Sequence, residues 1–289
     1  MTSDVKGVTL LPTEGKKTGH DGRNVPQIEL KNVSKYYHYS FGDVIALNSV
    51  SMSIDGGEFI AIVGPKGSGK TTLINIIGCI DNPTSGSVKI LENDLIDLGE
   101  KELDRFRIEN ISLVSPLLRL NPKKSIRQIL QDRLVFKTHT KSTGVQAENA
   151  MERAAIPQLY WETPTEELNE EMLLRGSIAR ALVTDPKILV LDEPLKKFDL
   201  SIIGDILMLL KRLHDQGMTV IIATEDPNIA RRTMRQIWLH EGSLMEDKRV
   251  TKAGHFISDE LDLRRNEVMY HHKNDKKFVQ IKRNFSMYD

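Results

Sequence analysis

One glycine-rich stretch, residues 64–72, constrains the fold of this chain more than any other feature. It reads GPKGSGKTT and fits the phosphate-binding pattern G-x-x-x-x-G-K-[ST]. The apolar run from Phe59 to Val63 comes directly before it and predicts a buried strand, and a helix is expected to begin near Lys70. In this order the glycines let consecutive backbone N–H groups turn inward around a phosphate, and the helix N-terminus adds its positive dipole end. A chance glycine-rich turn is the alternative, but it does not account for the strand and the helix on either side.

The loop therefore predicts a site for a nucleoside triphosphate. Lys70 is expected to bridge the terminal phosphates, and Thr71 is expected to offer its hydroxyl to Mg²⁺. The predicted nucleotide-binding residues of this stretch are Gly64, Pro65, Lys66, Gly67, Ser68, Gly69, Lys70, Thr71 and Thr72.

The composition fits a globular chain: 289 residues, 39% of them hydrophobic, can bury one large α/β core, alone or with a small accessory domain. Forty Lys and Arg residues balance forty Asp and Glu residues, so global charge indicates neither nucleic acid nor an anionic membrane surface as a partner. The single cysteine, Cys79, falls in the apolar helical run 74–80, which predicts a small buried side chain and excludes a disulfide framework. No apolar stretch approaches the ~20 residues of a membrane span, and the N-terminus lacks the apolar region of a signal peptide. A cytoplasmic location is the expectation.

The chain is predicted to divide into three parts. Residues 1–26, rich in Gly, Lys, Thr and Asp, are expected to form a flexible leader. Residues 27–247 form the folded unit, with a helical insert at about 115–175, where strand signals are missing. Residues 248–289 are a charged C-terminal tail, for which a solvated segment and a membrane-surface or partner-binding helix are the two interpretations.

Alternating strand and helix signals predict an α/β fold with the core of a P-loop nucleoside triphosphatase, a mostly parallel sheet with flanking helices. Period-two alternation at 27–33 and 50–54 adds an antiparallel β subdomain. The predicted elements of the remaining chain are a strand at 87–90, a helix at 98–109, strands at 111–114, 188–191 and 220–223, helices at 202–213 and 228–235, and a hairpin at 236–245.

Two carboxylates, Asp192 and Glu193, follow the buried strand at 188–191 and predict the second half of the site. An aspartate there can hold the Mg²⁺ that Thr71 approaches, and the glutamate can position or deprotonate the attacking water. Glu193 and Lys70 are therefore the predicted catalytic residues, and Asp192 and Thr71 the predicted metal ligands. The alternative is that both acids cap the next helix.

With these motifs in place, residues 27–245 resemble the ATP-binding cassette (ABC) ATPases, most closely the single-cassette subunits of lipoprotein-release and macrolide-export type transporters. The stretch Leu30–Tyr37 is similar to the family's opening strand, and the resemblance implies that Tyr37, or else Tyr36, stacks on adenine. The stretches 73–78 and 83–86 are similar to the helix and turn that follow the phosphate loop, and Arg175 with residues 178–182 is similar to the helix leading to Asp192. The resemblance also places Asp199 where the family's D-loop aspartate crosses to a partner subunit.

Four family motifs are altered in this chain. Pro116 stands at the position of the glutamine that links the metal to the transmembrane partner, and proline has no side-chain donor or acceptor. The signature loop L-S-G-G-Q aligns with 168–172, LNEEM, where Glu170 and Glu171 are expected to face a triphosphate bound on the opposing subunit. Those acids equally suit the first turn of a helix capped by Asn169.

The switch histidine aligns with Glu225, whose ionised carboxylate cannot donate to a γ-phosphate. In the D-loop, Lys196 and Lys197 replace small residues; they are interpreted as solvated, with pairing across a dimer interface as the alternative.

The resemblance implies an ATP-binding subunit that takes ATP and Mg²⁺ as cofactors and couples them to a separate transmembrane permease at the inner face of the cell membrane. The altered motifs predict weak hydrolysis and a second cassette as partner, in a homodimer or, preferably, an asymmetric heterodimer. No nucleic-acid partner is expected. A non-catalytic regulatory or scaffold cassette is the alternative, and soluble cassettes of DNA repair or translation fit less well, because neither their coiled coil nor their second cassette is found here.

Overall fold

The computed structural model describes residues 25–40, 42–116, 118–138 and 144–250. Almost all of the predicted leader and tail lies outside these residues, and the three-part division stays a prediction. The strands are β1 (Ile28–Tyr39), β2 (Gly42–Ile54), β3 (Phe59–Val63), β4 (Ser85–Ile90), β5 (Asn93–Asp94), β6 (Ile111–Val114), β7 (Ile188–Asp192), β8 (Thr219–Thr224), β9 (Arg235–His240) and β10 (Ser243–Arg249). The helices are α1 (Lys70–Ile77), α2 (Glu100–Asn110), α3 (Ile126–Thr138), α4 (Gly144–Arg153), α5 (Glu170–Leu182), α6 (Leu200–Asp215) and α7 (Pro227–Ala230).

A six-stranded sheet in the order β10-β9-β3-β8-β7-β6 forms the centre of the fold. Its pairings from β9 to β6 are parallel, and β10 closes one edge as an antiparallel hairpin strand. Strands β3, β7 and β8 are buried along their whole length because both faces are covered, which is why they are continuous apolar runs in the sequence.

Alternate residues of the central strands supply two cores. Phe59 and Ala61 of β3 pack with the helical side of the molecule, whereas Ile60 and Ile62 pack with α1 and the antiparallel sheet. The carboxyl ends of β3, β7 and β8 meet at one edge, where Val63 is paired with Thr224 and Asp192 with Ala223. The chain segments that follow these three strands are thereby brought together.

The second sheet is antiparallel, in the order β2-β1-β4-β5, as the period-two alternation at 27–33 and 50–54 predicts. Its inward residues, among them Ile28, Leu30 and Val50, are buried against α1 and the central sheet. The predicted fold class, an α/β core with an antiparallel subdomain and a helical insert, is confirmed.

Helices α3, α4 and the start of α5 make up the predicted helical insert. Within the described part of residues 115–175, the extended pairing is a single bridge between Ser125 and Pro164. Ala147, Met151 and Trp161 are buried in the core that these helices share with β7 and α6. The Trp161 indole N–H donates to the backbone oxygen of Ile156 at 2.9 Å, so the ring is fixed by a hydrogen bond as well as by packing.

Two local predictions were wrong. Cys79 lies beyond α1 rather than inside it, because the helix ends at Ile77 and Gly78 caps it; Cys79 has a positive φ of 53°. Its thiol is buried as predicted, and burial raises its pKa to about 12, which makes it unreactive at neutral pH. The helix expected at 228–235 is a single turn, α7, because β9 already begins at Arg235. In the part of the chain described, no helix has the length and apolar character needed to cross a membrane.

Candidate functional site

The glycine-rich loop joins the end of β3 to the start of α1, as predicted. Gly64 is buried, and a Cβ atom at this position would lie 2.3 Å from the backbone oxygen of Leu239 and 2.4 Å from Ser68 Oγ. Gly69 has a φ of 98°, and a Cβ there would lie 2.4 Å from the backbone oxygen of Ala46. Both positions therefore require glycine, and the loop is compressed into the narrow turn that a phosphate site needs.

Lys70 lies at the first position of α1, where its side chain is 3% exposed. Its ammonium donates to the backbone oxygens of Gly64 at 2.9 Å and Pro65 at 3.0 Å. The cation is thus fixed at the mouth of the loop by the loop's own carbonyl groups.

Ser68 Oγ is also buried in this loop, with no hydrogen-bond partner among the described residues. A buried hydroxyl without a partner beside a buried ammonium suits an anion that accepts hydrogen bonds from both, so these residues fit a phosphate group.

Thr71 and Asp192 are brought together as predicted, although 121 residues separate them. The Thr71 hydroxyl donates to Asp192 Oδ1 at 3.2 Å. Asp192 is only 6% exposed, and burial raises the pKa of its carboxyl group, with the nearby charge of Glu193 adding to the rise. A hydroxyl and one carboxylate are the oxygen ligands that Mg²⁺ takes from a protein when phosphates and waters complete its shell. The donor set therefore fits Mg²⁺.

Four charged side chains form a ring at this end of the loop: Lys70, Glu193, Lys196 and Glu225. Lys196 Nζ is 3.1 Å from Glu193 Oε2 and 3.1 Å from Glu225 Oε2. Lys70 Nζ is 3.3 Å from Glu193 Oε1 and 3.9 Å from Glu225 Oε1. We call these four residues the charge ring.

The charge ring keeps Glu193 ionised. Burial alone would raise the pKa of Glu193, but the hydrogen bonds from Lys196 and Lys70 outweigh it and lower that pKa. The interpretation of Lys196 as simply solvated was wrong, because it pairs with acids of its own chain. The spacing of three residues between Glu193 and Lys196 indicated in the sequence that the two could pair. Nothing in the sequence indicated that Glu225 approaches Lys196.

Tyr37 lies on β1 and faces the region just after α1. Its hydroxyl donates to Asp81 Oδ2 at 2.7 Å, and Lys35 donates to Asp81 Oδ1 and lies 5.1 Å from the Tyr37 ring centroid. Burial and the hydrogen bond to Asp81 raise the pKa of the Tyr37 hydroxyl. Because neighbouring strand residues point to opposite faces, Tyr36 is directed away from this cluster. The structure therefore places Tyr37, rather than Tyr36, on the side of the phosphate loop helix.

Known proteins are similar to the part of the chain that carries this site. Residues 47–196 match the protein family described as ABC transporter. This chain belongs to the ABC transporter ATP-binding family. The match covers about half of the chain and includes the phosphate loop, Asp192 and Glu193.

Several relatives are similar over most of the cassette. The ABC transporter ATP-binding protein YvrO of Bacillus subtilis is 34% identical over 223 residues, which are 77% of this chain and 97% of YvrO. MJ0796 of Methanocaldococcus jannaschii, also an ABC transporter ATP-binding protein, is 34% identical over 228 residues, which are 77% of this chain and 97% of MJ0796. The macrolide export ATP-binding/permease protein MacB of Hyphomonas neptunium is 33% identical, and there the aligned region spans 77% of this chain but 34% of MacB.

A solved structure agrees with these sequence relations. The dimeric MJ0796 cassette in a post-hydrolysis state, bound to ADP and Pi, superimposes with a TM-score of 0.73 at 33% identity, covering 78% of this chain and 99% of that one. ABC cassettes of this kind are P-loop ATPases that bind ATP, and this chain is an ATPase of that class by family.

The altered ABC motifs have definite positions in the fold. Pro116 is exposed just beyond β6. In the signature segment, Asn169 caps α5 and accepts a hydrogen bond from the Met172 N–H at 2.8 Å, as predicted for a helix N-cap. Glu171 accepts a hydrogen bond from Arg175 Nε, one turn further along the helix, at 2.8 Å, so this acid is paired within its own chain. That the two acids face a triphosphate on an opposing subunit stays a prediction. Glu170 alone is exposed on the first turn.

Asp199, the D-loop position, has a role within its own chain. Its carboxylate caps α6 by accepting from the N–H groups of Ser201 at 3.1 Å and Ile202 at 3.0 Å. Its predicted crossing to a partner subunit stays a prediction.

We expect Tyr37→Ala to weaken ATP binding by about tenfold, because stacking of a base on an aromatic ring contributes about 1–3 kcal/mol. Tyr36→Ala is the matched control and should leave the affinity within about twofold of wild type. Titration calorimetry with ATP measures both. If Tyr36→Ala weakens binding and Tyr37→Ala does not, the adenine contact belongs to Tyr36.

Proposed function

We propose that this chain is the ATP-binding subunit of an ABC transporter, which binds Mg-ATP and couples it to a separate transmembrane permease. The observation that carries the proposal is the convergence of Lys70, Thr71, Asp192 and Glu193 at the carboxyl ends of β3 and β7. The family match and the resemblance to cassettes whose relatives include ATP-binding/permease proteins support it. The site then lies at the inner face of a cell membrane through the permease, and nucleic acid has no part in it.

Each residue of the site has a distinct task in this proposal. Lys70 and Ser68 bind the phosphates at the mouth of the loop, and Tyr37 stacks on the adenine. Thr71 and Asp192 would hold Mg²⁺, which would supply positive charge to offset that of the phosphates. Glu193, ionised in the charge ring, orients the attacking water and accepts its proton.

We further propose that hydrolysis is weak. A general base is most effective when its pKa lies near the working pH, whereas the hydrogen bond from Lys196 lowers the pKa of Glu193 and occupies its Oε2 atom. Pro116 supplies no side-chain contact to metal or water, and Glu225 supplies no donor for a γ-phosphate. These three features act in the same direction, toward ATP binding with slow turnover.

The proposed partner is a second, better-preserved cassette in an asymmetric dimer. A triphosphate on the opposing subunit would meet the exposed Glu170 instead of the family's signature serine and glycines. Two like unit charges about 4 Å apart repel by about 4 kcal/mol at an effective dielectric near 20, so a homodimer closed over two ATP molecules is disfavoured. With an intact signature on the partner, the site at Lys70 can still be completed.

The purified chain tests the function. It should bind ATP with a dissociation constant of about 1–100 μM, in the lower part of the usual KM range of enzyme substrates, and turn over well below about 1 s⁻¹. Solubilised from its source, it should co-purify with an integral membrane protein.

Absence of ATP binding would contradict the proposal. ATP binding without turnover and without a membrane partner would instead identify a regulatory or scaffold cassette. Salt-sensitive retention on nucleic acid would instead indicate a soluble cassette protein of DNA repair or translation.

A further inference from the structure

Glu225 is an unusual residue to find beside a phosphate site, and its surroundings show how it is accommodated. Its Oε1 atom is buried, has no hydrogen-bond partner among the described residues, and is directed at Lys70 Nζ, 3.9 Å away. Its Oε2 atom is bound by Lys196 Nζ at 3.1 Å. One oxygen thus points into the site, and the other is bound by a cation from the segment after β7.

Without Lys196, the balance of charge in the site would oppose a triphosphate. Asp192, Glu193 and Glu225 would then share Lys70 as the cation of this cluster, and like charges close together raise each other's energy. Lys196 supplies a second positive charge that contacts two of the three carboxylates directly. In its presence the charge ring is neutral.

The two lysines differ in their freedom to move. Lys70 is 3% exposed and fixed by two loop carbonyl groups, whereas the Lys196 side chain is 55% exposed and extends from the surface. An ammonium on a flexible four-carbon stem can follow the carboxylates when they shift. Lys196 can therefore remain with Glu193 and Glu225 when these carboxylates shift to admit a phosphate beside the fixed Lys70 ammonium.

We propose that Lys196 is a positioning residue for the terminal phosphate: by neutralising Glu225 and Glu193, it makes the site select a nucleoside triphosphate over a diphosphate. Lys196 and Glu225 act as a pair in the place where the family has a histidine. The inference rests on the proposed function, since it requires that the loop bind Mg-ATP. It adds a residue that decides which nucleotide is preferred.

The affinities for Mg-ATP and Mg-ADP, measured separately by titration calorimetry, test the proposal. Lys196→Ala should lower the ATP affinity by about tenfold or more, the effect expected when a charged contact is lost, and change the ADP affinity by less than about twofold. The ADP value also reports that the variant is folded. Lys197→Ala is the matched control, because Lys197 is the adjacent exposed lysine and no ion pair of its side chain is found in the described structure; it should change neither affinity.

A second variant separates the electrostatic role from a structural one. In Lys196→Ala/Glu225→Gln the excess negative charge is gone, so most of the ATP affinity should return. Lys196→Arg, which keeps the charge, should retain the preference for ATP.

Equal loss of ATP and ADP affinity in Lys196→Ala, or no recovery in the double variant, would overturn this inference while leaving the proposed function standing. A wild-type chain that binds neither nucleotide would overturn both.

Discussion

Lys70→Ala is expected to lower the affinity of the chain for ATP by about a hundredfold. The Lys70 ammonium is buried at the mouth of the loop, 2.9 Å from the Gly64 oxygen and 3.3 Å from Glu193 Oε1. A hydrogen bond from a charged donor contributes about 1.5–3 kcal/mol, and a lysine between the β- and γ-phosphates makes two. A loss of about 3 kcal/mol corresponds to about a hundredfold in affinity.

Titration calorimetry with Mg-ATP measures this loss. Lys89→Ala is the control, because Lys89 is an exposed lysine on β4, outside the loop and the charge ring, and this variant should bind ATP as wild type does. Thermal unfolding of both variants without nucleotide shows whether the loop variant keeps its fold. A folded Lys70→Ala variant that binds ATP within about threefold of wild type would show that the nucleotide does not lie at this loop.

The fold could be predicted from the sequence because its strands are of two clearly different kinds. The central strands β3, β7 and β8 are covered on both faces and appear as unbroken apolar runs, whereas β1 and β2 are half-exposed and alternate. Element ends were less predictable. The apolar run around Cys79 continues past the end of α1, so hydrophobicity alone did not show that Gly78 ends the helix.

The nucleotide half of the site was also predictable, because parallel strands deliver their carboxyl ends to one edge. Residues 59–63 and 188–191 were each predicted as a buried strand, and Thr71 and Asp192 were expected to share a metal ion. β8 lies between these two strands in the sheet, and the Thr71 hydroxyl and Asp192 Oδ1 are 3.2 Å apart. Residue type and position relative to a strand were enough for this inference.

The charge ring could not be predicted in the same way. Lys196 and Glu225 are 29 residues apart, and their contact depends on β7 and β8 being adjacent and on the path of each chain after its strand. A lysine in a charged, turn-like segment is most often solvated, so the residue type of Lys196 did not indicate a contact with Glu225. The Glu171–Arg175 pair is different, because a spacing of four residues places an acid and a base on one helix face and indicates an ion pair in the sequence itself.

Glu193→Gln is expected to reduce the already slow turnover by about a hundredfold or more while leaving ATP affinity unchanged or higher. A positioned general base contributes about 10²–10⁴-fold to a rate, and glutamine has nearly the same shape but cannot accept the proton. Affinity should not fall, because the substitution removes a negative charge 3.3 Å from Lys70 Nζ. Phosphate release at saturating Mg-ATP measures the turnover, and calorimetry measures the affinity.

The position of Glu193 explains why so small a chemical change should matter so much. It is held just beyond β7 at a φ of 45°, its N–H donates to the Ala223 oxygen at 3.1 Å, and its carboxylate is fixed between Lys70 and Lys196. Glu246→Gln, an exposed acid on β10, is the control and should leave turnover unchanged. Vigorous phosphate release that survives Glu193→Gln would contradict both the role of Glu193 and the proposal of weak hydrolysis. Loss of turnover with ATP still bound would show that this cassette hydrolyses ATP slowly through the same glutamate that the charge ring restrains.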